Sequence, residues 1–234
     1  MNSNITEKLS YTLSAERING YKKRIIHKYG KCNGIDCYVY YNWNTALCES
    51  FYCSLQALEV ALRNAIHNTA SEYFNNSRWF EDPEILDKRA LNTVKQAKAV
   101  LIKQDKNTSA GRILAELNFG FWTSLFNKKY DQILWHKIIK KTFPYIKAEI
   151  RTRSTLSKRL NSIRRLRNRI FHYEPIWYYN DLHKHHDRII ETIGWMEPLM
   201  ENMIFPIDQF RSCYTSKKLE QIRSELHPLI YWKE

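Results

Sequence analysis

Glycine and proline are scarce in this chain, six of each among 234 residues, and no other feature constrains its fold as much. These two residues punctuate a chain into tight turns, and inside a helix they cost about 1 and 3 kcal/mol respectively. A sequence nearly free of both favours long helices over hairpins. The apolar pattern agrees: Leu55, Leu58, Leu62, Ile66 and Thr69 recur at steps of three and four, one face of a helix over about 49–74. Ser14 is a natural N-cap for a helix over 14–29 that stops at Asn33-Gly34. Further helices are expected at about 83–103, 113–126, 131–142, 146–171, 180–203 and 216–226, with Gly120 marking a close helix approach inside the second of these six. Residues 38–47 are aromatic and polar. The expected fold is all-α, a single domain over 1–234.

A hydrophobic fraction of 44% and an aromatic fraction of 14% describe a chain that folds around a core. The formal charge of +13 selects polyanionic partners, either nucleic acid or an anionic membrane face. No run of about 18 apolar residues is present, and the first ten residues, MNSNITEKLS, lack the apolar stretch of a secretory signal. A cytoplasmic protein without a membrane span is expected. Five cysteines are an odd number, which fits reduced thiols better than a disulfide framework. The two C-x4-C pairs depart from the usual x2 spacing of zinc sites. The cluster His183, His185, His186 and Asp187 has no third or fourth ligand in register. Neither a metal nor a cofactor is expected.

The chemistry concentrates in Arg167-Asn168-Arg169-Ile170-Phe171-His172, closed by Tyr173, Glu174 and Pro175. Imidazole can move the proton of a ribose 2′-hydroxyl, and guanidinium can neutralise charge building on a phosphate. On a helix at about 100° per residue, Leu156, Leu160, Leu166 and Ile170 lie within roughly 60° of Ile163, forming the core stripe. Arg167 falls at about 40°, inside that stripe, where an unpaired charge is costly. It therefore requires a carboxylate, a phosphate or a subunit boundary. Arg159 shares the stripe. Asn161, Lys158, Arg165, Arg169 and His172 gather on the opposite side, so His172 tops a basic face about 140° away from Arg167. Between Lys137 and Arg169 there are twelve Lys or Arg and one acid, Glu149, a stretch that can follow a phosphate backbone. The same spacing also suits a solvated cationic face that ends in an ordinary helix-end histidine.

The segment RNRIFHYEP resembles the Arg-x4-6-His motif of HEPN-domain ribonucleases, and more narrowly the bacterial Abi-like (abortive infection) proteins. Tyr41-x-Trp43-Asn44, the run from Leu58 to Ile66 and the run from Leu117 to Trp122 are similar to that family's other blocks, in the same order. The resemblance spans about 15–200. It implies a HEPN-like helical bundle with additional N- and C-terminal helices, the motif helix at about 146–172 and an extension at about 204–234. It also implies metal-independent endoribonuclease chemistry in phage defence, with two motifs facing each other across a homodimer. On this reading His172 is the acid or base, Arg167 contacts the scissile phosphate, and Asn168 orients the imidazole. Tyr173 stands where a second histidine is common.

Supporting positions complete the expectation. Glu59, Arg63 and His67 form a column at i, i+4 spacing. It serves either as a counter-charge for Arg167 with Arg63 beside RNA, or as a surface ion pair. Glu116 is the other candidate counter-charge. Lys158, Arg164, Arg165 and Arg169 are the expected RNA contacts. Trp177, Tyr178 and Tyr179 suit base stacking or core packing. Besides the ribonuclease there is the reading of a non-catalytic RNA-binding module, with a small non-coding RNA as its partner. A third reading is an antitoxin or scaffold in which the motif is structural.

Overall fold

The computed structural model describes residues 3–231 and is all-helical, with no strand among the described residues. In chain order the helices are α1 (Ser3–Leu13), α2 (Ala15–Tyr29), α3 (Asp36–Ser50), α4 (Tyr52–Phe74), α5 (Lys88–Lys103), α6 (Ala110–Glu116) and α7 (Phe119–Ser124). They continue with α8 (His136–Thr142), α9 (Arg153–Phe171), α10 (Leu182–Gly194), α11 (Pro198–Ile204), α12 (Phe210–Cys213) and α13 (Ser216–Tyr231). The all-α expectation holds. The last residues of the expected C-terminal extension, 232–234, lie outside the described residues.

Helix ends follow capping chemistry more closely than apolar period. Ser14 caps α2 as expected, its side chain accepting from the Arg17 amide, but the stop comes at Gly30 with φ 78 and not at Asn33-Gly34. Glycine takes this left-handed C-cap without strain. The helix expected over 83–103 begins at Lys88, because Asp87 accepts from the Ala90 amide and caps it. That over 113–126 is two helices: Asn118 takes an extended backbone and its Oδ1 accepts from the Phe121 amide at 3.0 Å. A Cβ at Gly120 would stand 3.0 Å from that Oδ1. Gly120 therefore makes room for the α7 cap and not for a neighbouring helix. The helix expected from 146 begins at Arg153, where Thr152 Oγ1 accepts from the Thr155 amide. The one expected over 180–203 breaks after Gly194 and restarts at Pro198, with Glu197 accepting from Leu199. Proline fits a first turn because its missing N–H would be unpaired there anyway.

The chain divides into two compact units. The first comprises residues 1–53, 166–186 and 207–234. Its centre is α3, against which α2, α12 and α13 pack. Cys37, Tyr38, Val39, Tyr40, Trp43, Asn44 and Leu47 are all buried, so α3 is enclosed nearly all round. A helix buried on every side has no amphipathic period to display, which is why residues 38–47 carry no helical signature in the sequence. Trp43 Nε1 donates to the Cys213 carbonyl at 3.0 Å and its ring stacks on Tyr214. Arg223 pairs with the buried Asp36.

The second unit comprises residues 54–165 and 187–206. Leu58, Leu62 and Ile66 of α4 are fully buried, as the sequence stripe requires. Trp79, Trp122, Trp135 and Phe126 fill its interior, Trp135 stacking on Phe126 at 4.0 Å between centroids. Thr69 and Thr142 join their hydroxyls at 2.8 Å. Asp87 ties α5 to the 128–130 turn: it accepts from Lys129 and from the Tyr130 hydroxyl.

Burial opposes ionisation of Asp87, but hydrogen bonds from Lys129, Tyr130 and the Ala90 amide outweigh it and lower the pKa from 3.8 to about 2. A depressed folded-state pKa contributes stability that is present in full above the unfolded value and lost as pH falls through the folded one. Wild type should therefore lose stability between about pH 4 and pH 2 relative to Asp87→Asn. Urea melts across that window should show the difference between the two proteins shrinking as pH falls.

Candidate active site

The motif helix α9 presents its faces as the angular reading requires. Leu156, Leu160, Ile163, Leu166 and Ile170 are each at most 6% exposed. Lys158 and Arg165 are exposed, Arg164 and Asn168 half-buried. Arg159, the second cation in the stripe, is paired with Glu191 and lies 4.5 Å from the Trp195 ring centroid. Arg167 is half-buried, its guanidinium 4.3 Å from the ring centroid of Phe171, one turn on. Helical geometry is kept to the end of the motif, since the His172 amide still donates to the Asn168 carbonyl at 2.9 Å. The helix does not loosen to swing Arg167 and His172 together.

His172 is the C-cap of α9 and is exposed. The Tyr173 amide donates to the Ile170 carbonyl at 3.0 Å and the Glu174 amide to the Arg169 carbonyl at 2.8 Å. This pair of bonds defines a Schellman cap, in which the residue after the C-cap takes a left-handed backbone and is usually glycine. Here it is Tyr173, with φ 57 and a side chain 75% exposed. The hydrophobic contact that normally closes such a cap is replaced by an ion pair, Arg169 to Glu174 at 3.0 Å.

The cap is held from several sides. Arg169 also donates to the Pro175 carbonyl and to the Tyr178 hydroxyl. The expected RNA contact at Arg169 is thus a guanidinium already engaged inside its own chain. From α2, Arg17 donates to the Tyr173 carbonyl at 2.8 Å, Lys28 to the Tyr178 carbonyl at 3.2 Å, and Arg24 lies over the Tyr178 ring. The buried Asn44 Oδ1 accepts from both the Ile176 and Trp177 amides, at 2.7 and 3.2 Å. Trp177 is 1% exposed, 4.4 Å from the Tyr40 ring and stacked with Tyr21 and Tyr29. Its role is packing. Beside this segment is a cavity of about 500 Å³ whose lining includes Tyr11, Ser14, Arg17, Tyr41, Asn44 and Tyr173. Two of its lining residues, Ser14 (φ 66) and Tyr173, are non-glycine residues with left-handed backbone.

The clamp on residues 173–178 escaped the sequence reading, although its signal is present. Arg17, Arg24 and Lys28 lie within about 40° of one another on a helix, so they form one face with one target. Glu59 and Arg63 are half-buried on α4, where Arg63 donates to Asn64 at 3.3 Å, and Glu116 ends α6 exposed. His67 Nδ1 accepts from Trp79 Nε1 at 3.3 Å, and burial lowers its pKa. In the histidine cluster, His186 is buried, pairs with Asp208 at 2.9 Å and stacks on Phe210, while His185 faces Asp181. The Cys32 and Cys37 sulfurs are 3.6 Å apart as free thiols, and burial pushes Cys37 up to about 12. No group of three or more metal-ligating side chains occurs among the described residues. Nor is any described helix long and apolar enough to cross a membrane. No family model, curated protein or solved structure matches the chain.

Two substitutions test this construction. Asn44→Leu keeps the branched outline of the side chain but strands two buried N–H groups, which should cost about 2–3 kcal/mol in denaturant unfolding. Tyr173→Gly removes left-handed strain at an exposed position and should raise stability by about 1 kcal/mol in the same assay.

Proposed function

We propose that this chain is a metal-independent endoribonuclease of a bacterial phage-defence system, acting as a homodimer with a composite site. The carrying observation is the state of the α9 terminus. Every neighbour of His172 from Arg169 to Trp177 is tied into the chain by a cap bond, ion pair or packing contact, while the imidazole stands exposed. A rigid scaffold presenting one titratable ring suits proton transfer. The charge of +13 supplies the attraction for a polyanion.

In the proposed reaction His172 takes the proton of a ribose 2′-hydroxyl and that oxygen forms a bond to phosphorus. The bond from phosphorus to the 5′-oxygen breaks, and the second copy's His172 returns a proton to the leaving oxygen. The products carry a 2′,3′-cyclic phosphate and a 5′-hydroxyl. Arg167 offsets charge on the phosphate and Asn168 orients the ring. Within one straight helix Arg167 and His172 diverge by about 140°, and this favours a site completed by another copy. Phe171 and Tyr173, exposed at 41% and 75% on either side of His172, supply apolar surface for that contact.

Labelled RNA incubated in EDTA should be cut by wild type, and His172→Ala should lose at least about 100-fold in rate while keeping its RNA affinity. Equal activity in both proteins would remove His172 from the mechanism. RNA binding without cleavage by either would select the non-catalytic module.

A further inference from the structure

A second cavity, of about 420 Å³, lies wholly within the second unit and takes no part in the proposed cleavage. Three cations line it: Arg89 from α5, Lys129 from the turn after α7, and Arg164 from α9. Asp87 is the single carboxylate in the lining. That carboxylate is already satisfied, accepting from Lys129, the Tyr130 hydroxyl and the Ala90 amide. Lys129 and Asp87 thus cancel each other, leaving two guanidinium groups on a pocket with no anion of its own. Arg164 gives one hydrogen bond to the Asn161 amide oxygen at 3.3 Å, a neutral partner, and Arg89 is exposed.

The remaining lining is largely amide and hydroxyl. Asn118, Asn127 and Asn161 contribute side-chain amides and Thr93 a hydroxyl, while Phe121 and Thr123 in the lining are buried. Gly120 also lines the cavity, beside the capping Asn118. Paired arginines recognise phosphate oxygens through planar, forked donors. Amides can read the edge of a base. The volume lies in the range of small-ligand sites.

We infer that this cavity binds a phosphate ester of nucleotide size, with the phosphoryl group between Arg89 and Arg164 and the base toward the amides. The inference does not depend on ribonuclease activity, because its readout is binding. The ligand is either a free nucleotide or one nucleotide of an RNA chain, and both carry the same recognised groups.

The test is calorimetric titration of the full chain, at fixed ionic strength, with inorganic phosphate, adenosine monophosphate and a six-nucleotide RNA. Saturable binding of the mononucleotide, weakened at least tenfold in the double variant Arg89→Gln, Arg164→Gln, upholds the site with a free nucleotide as its source. Binding of the RNA alone, with the same loss, upholds it with a chain nucleotide. Arg89→Gln alone, at an exposed position, serves if the double variant has a lowered melting temperature, and it should weaken binding severalfold. No saturable binding of any of the three, or binding unchanged by both variants, overturns the proposal.

Discussion

The site depends most on one amide oxygen. Asn44 Oδ1 takes the backbone N–H groups of both Ile176 and Trp177 inside the protein, where an unmade hydrogen bond costs about 1–3 kcal/mol. This fixes the chain immediately after the Schellman cap, and Trp177 then locks into the rings of Tyr21, Tyr29 and Tyr40. With both ends of residues 172–177 set, Tyr173 stays left-handed although glycine would be more comfortable there. Strain of this kind persists only where its surroundings over-determine the backbone. Here Asn44, Arg17 and the Arg169–Glu174 pair supply that determination.

The basic charge of this chain has several separate uses. Arg17, Arg24 and Lys28 hold a backbone segment, Arg159 satisfies Glu191 and covers Trp195, and Arg169 closes a helix cap. Lys158 and Arg165 remain on the exposed face of α9. A net charge measures attraction for polyanions, but it does not reveal which cations are open to a ligand. Hydrogen-bond partners make that distinction, and for Arg17 and Lys28 they lie 156 and 150 positions away in the chain.

The same division explains what was legible in the sequence. The buried stripe of α9 was readable from period alone, as was that of α4, because both helices bury one face. Helix α3 was not readable, because Tyr38, Tyr40, Trp43 and Asn44 bury it from several sides. Long apolar runs hid the breaks at Asn118 and Gly194, which are set by single side-chain caps that period does not register. At the site, the exposure of His172 and the position of Arg167 followed from angles. Engagement of Arg169 did not, since its partners Glu174 and Tyr178 lie beyond the end of the helix whose geometry placed it.

The identity of residue 173 is what the proposed reading of the α9 terminus has to account for. If the α9 terminus needed only to reverse the chain, glycine at 173 would do so with less strain, and the ion pair between Arg169 and Glu174 would be redundant with the usual apolar closure. An exposed tyrosine is kept there instead, beside an exposed histidine, on a turn pinned from α2 and α3. Stability alone gives no reason for that choice. On the proposed reading, a surface that holds RNA or a second copy of the chain gives one: Phe171 and Tyr173 flank the imidazole on a main-chain turn that is already held, so that little backbone ordering would remain on binding.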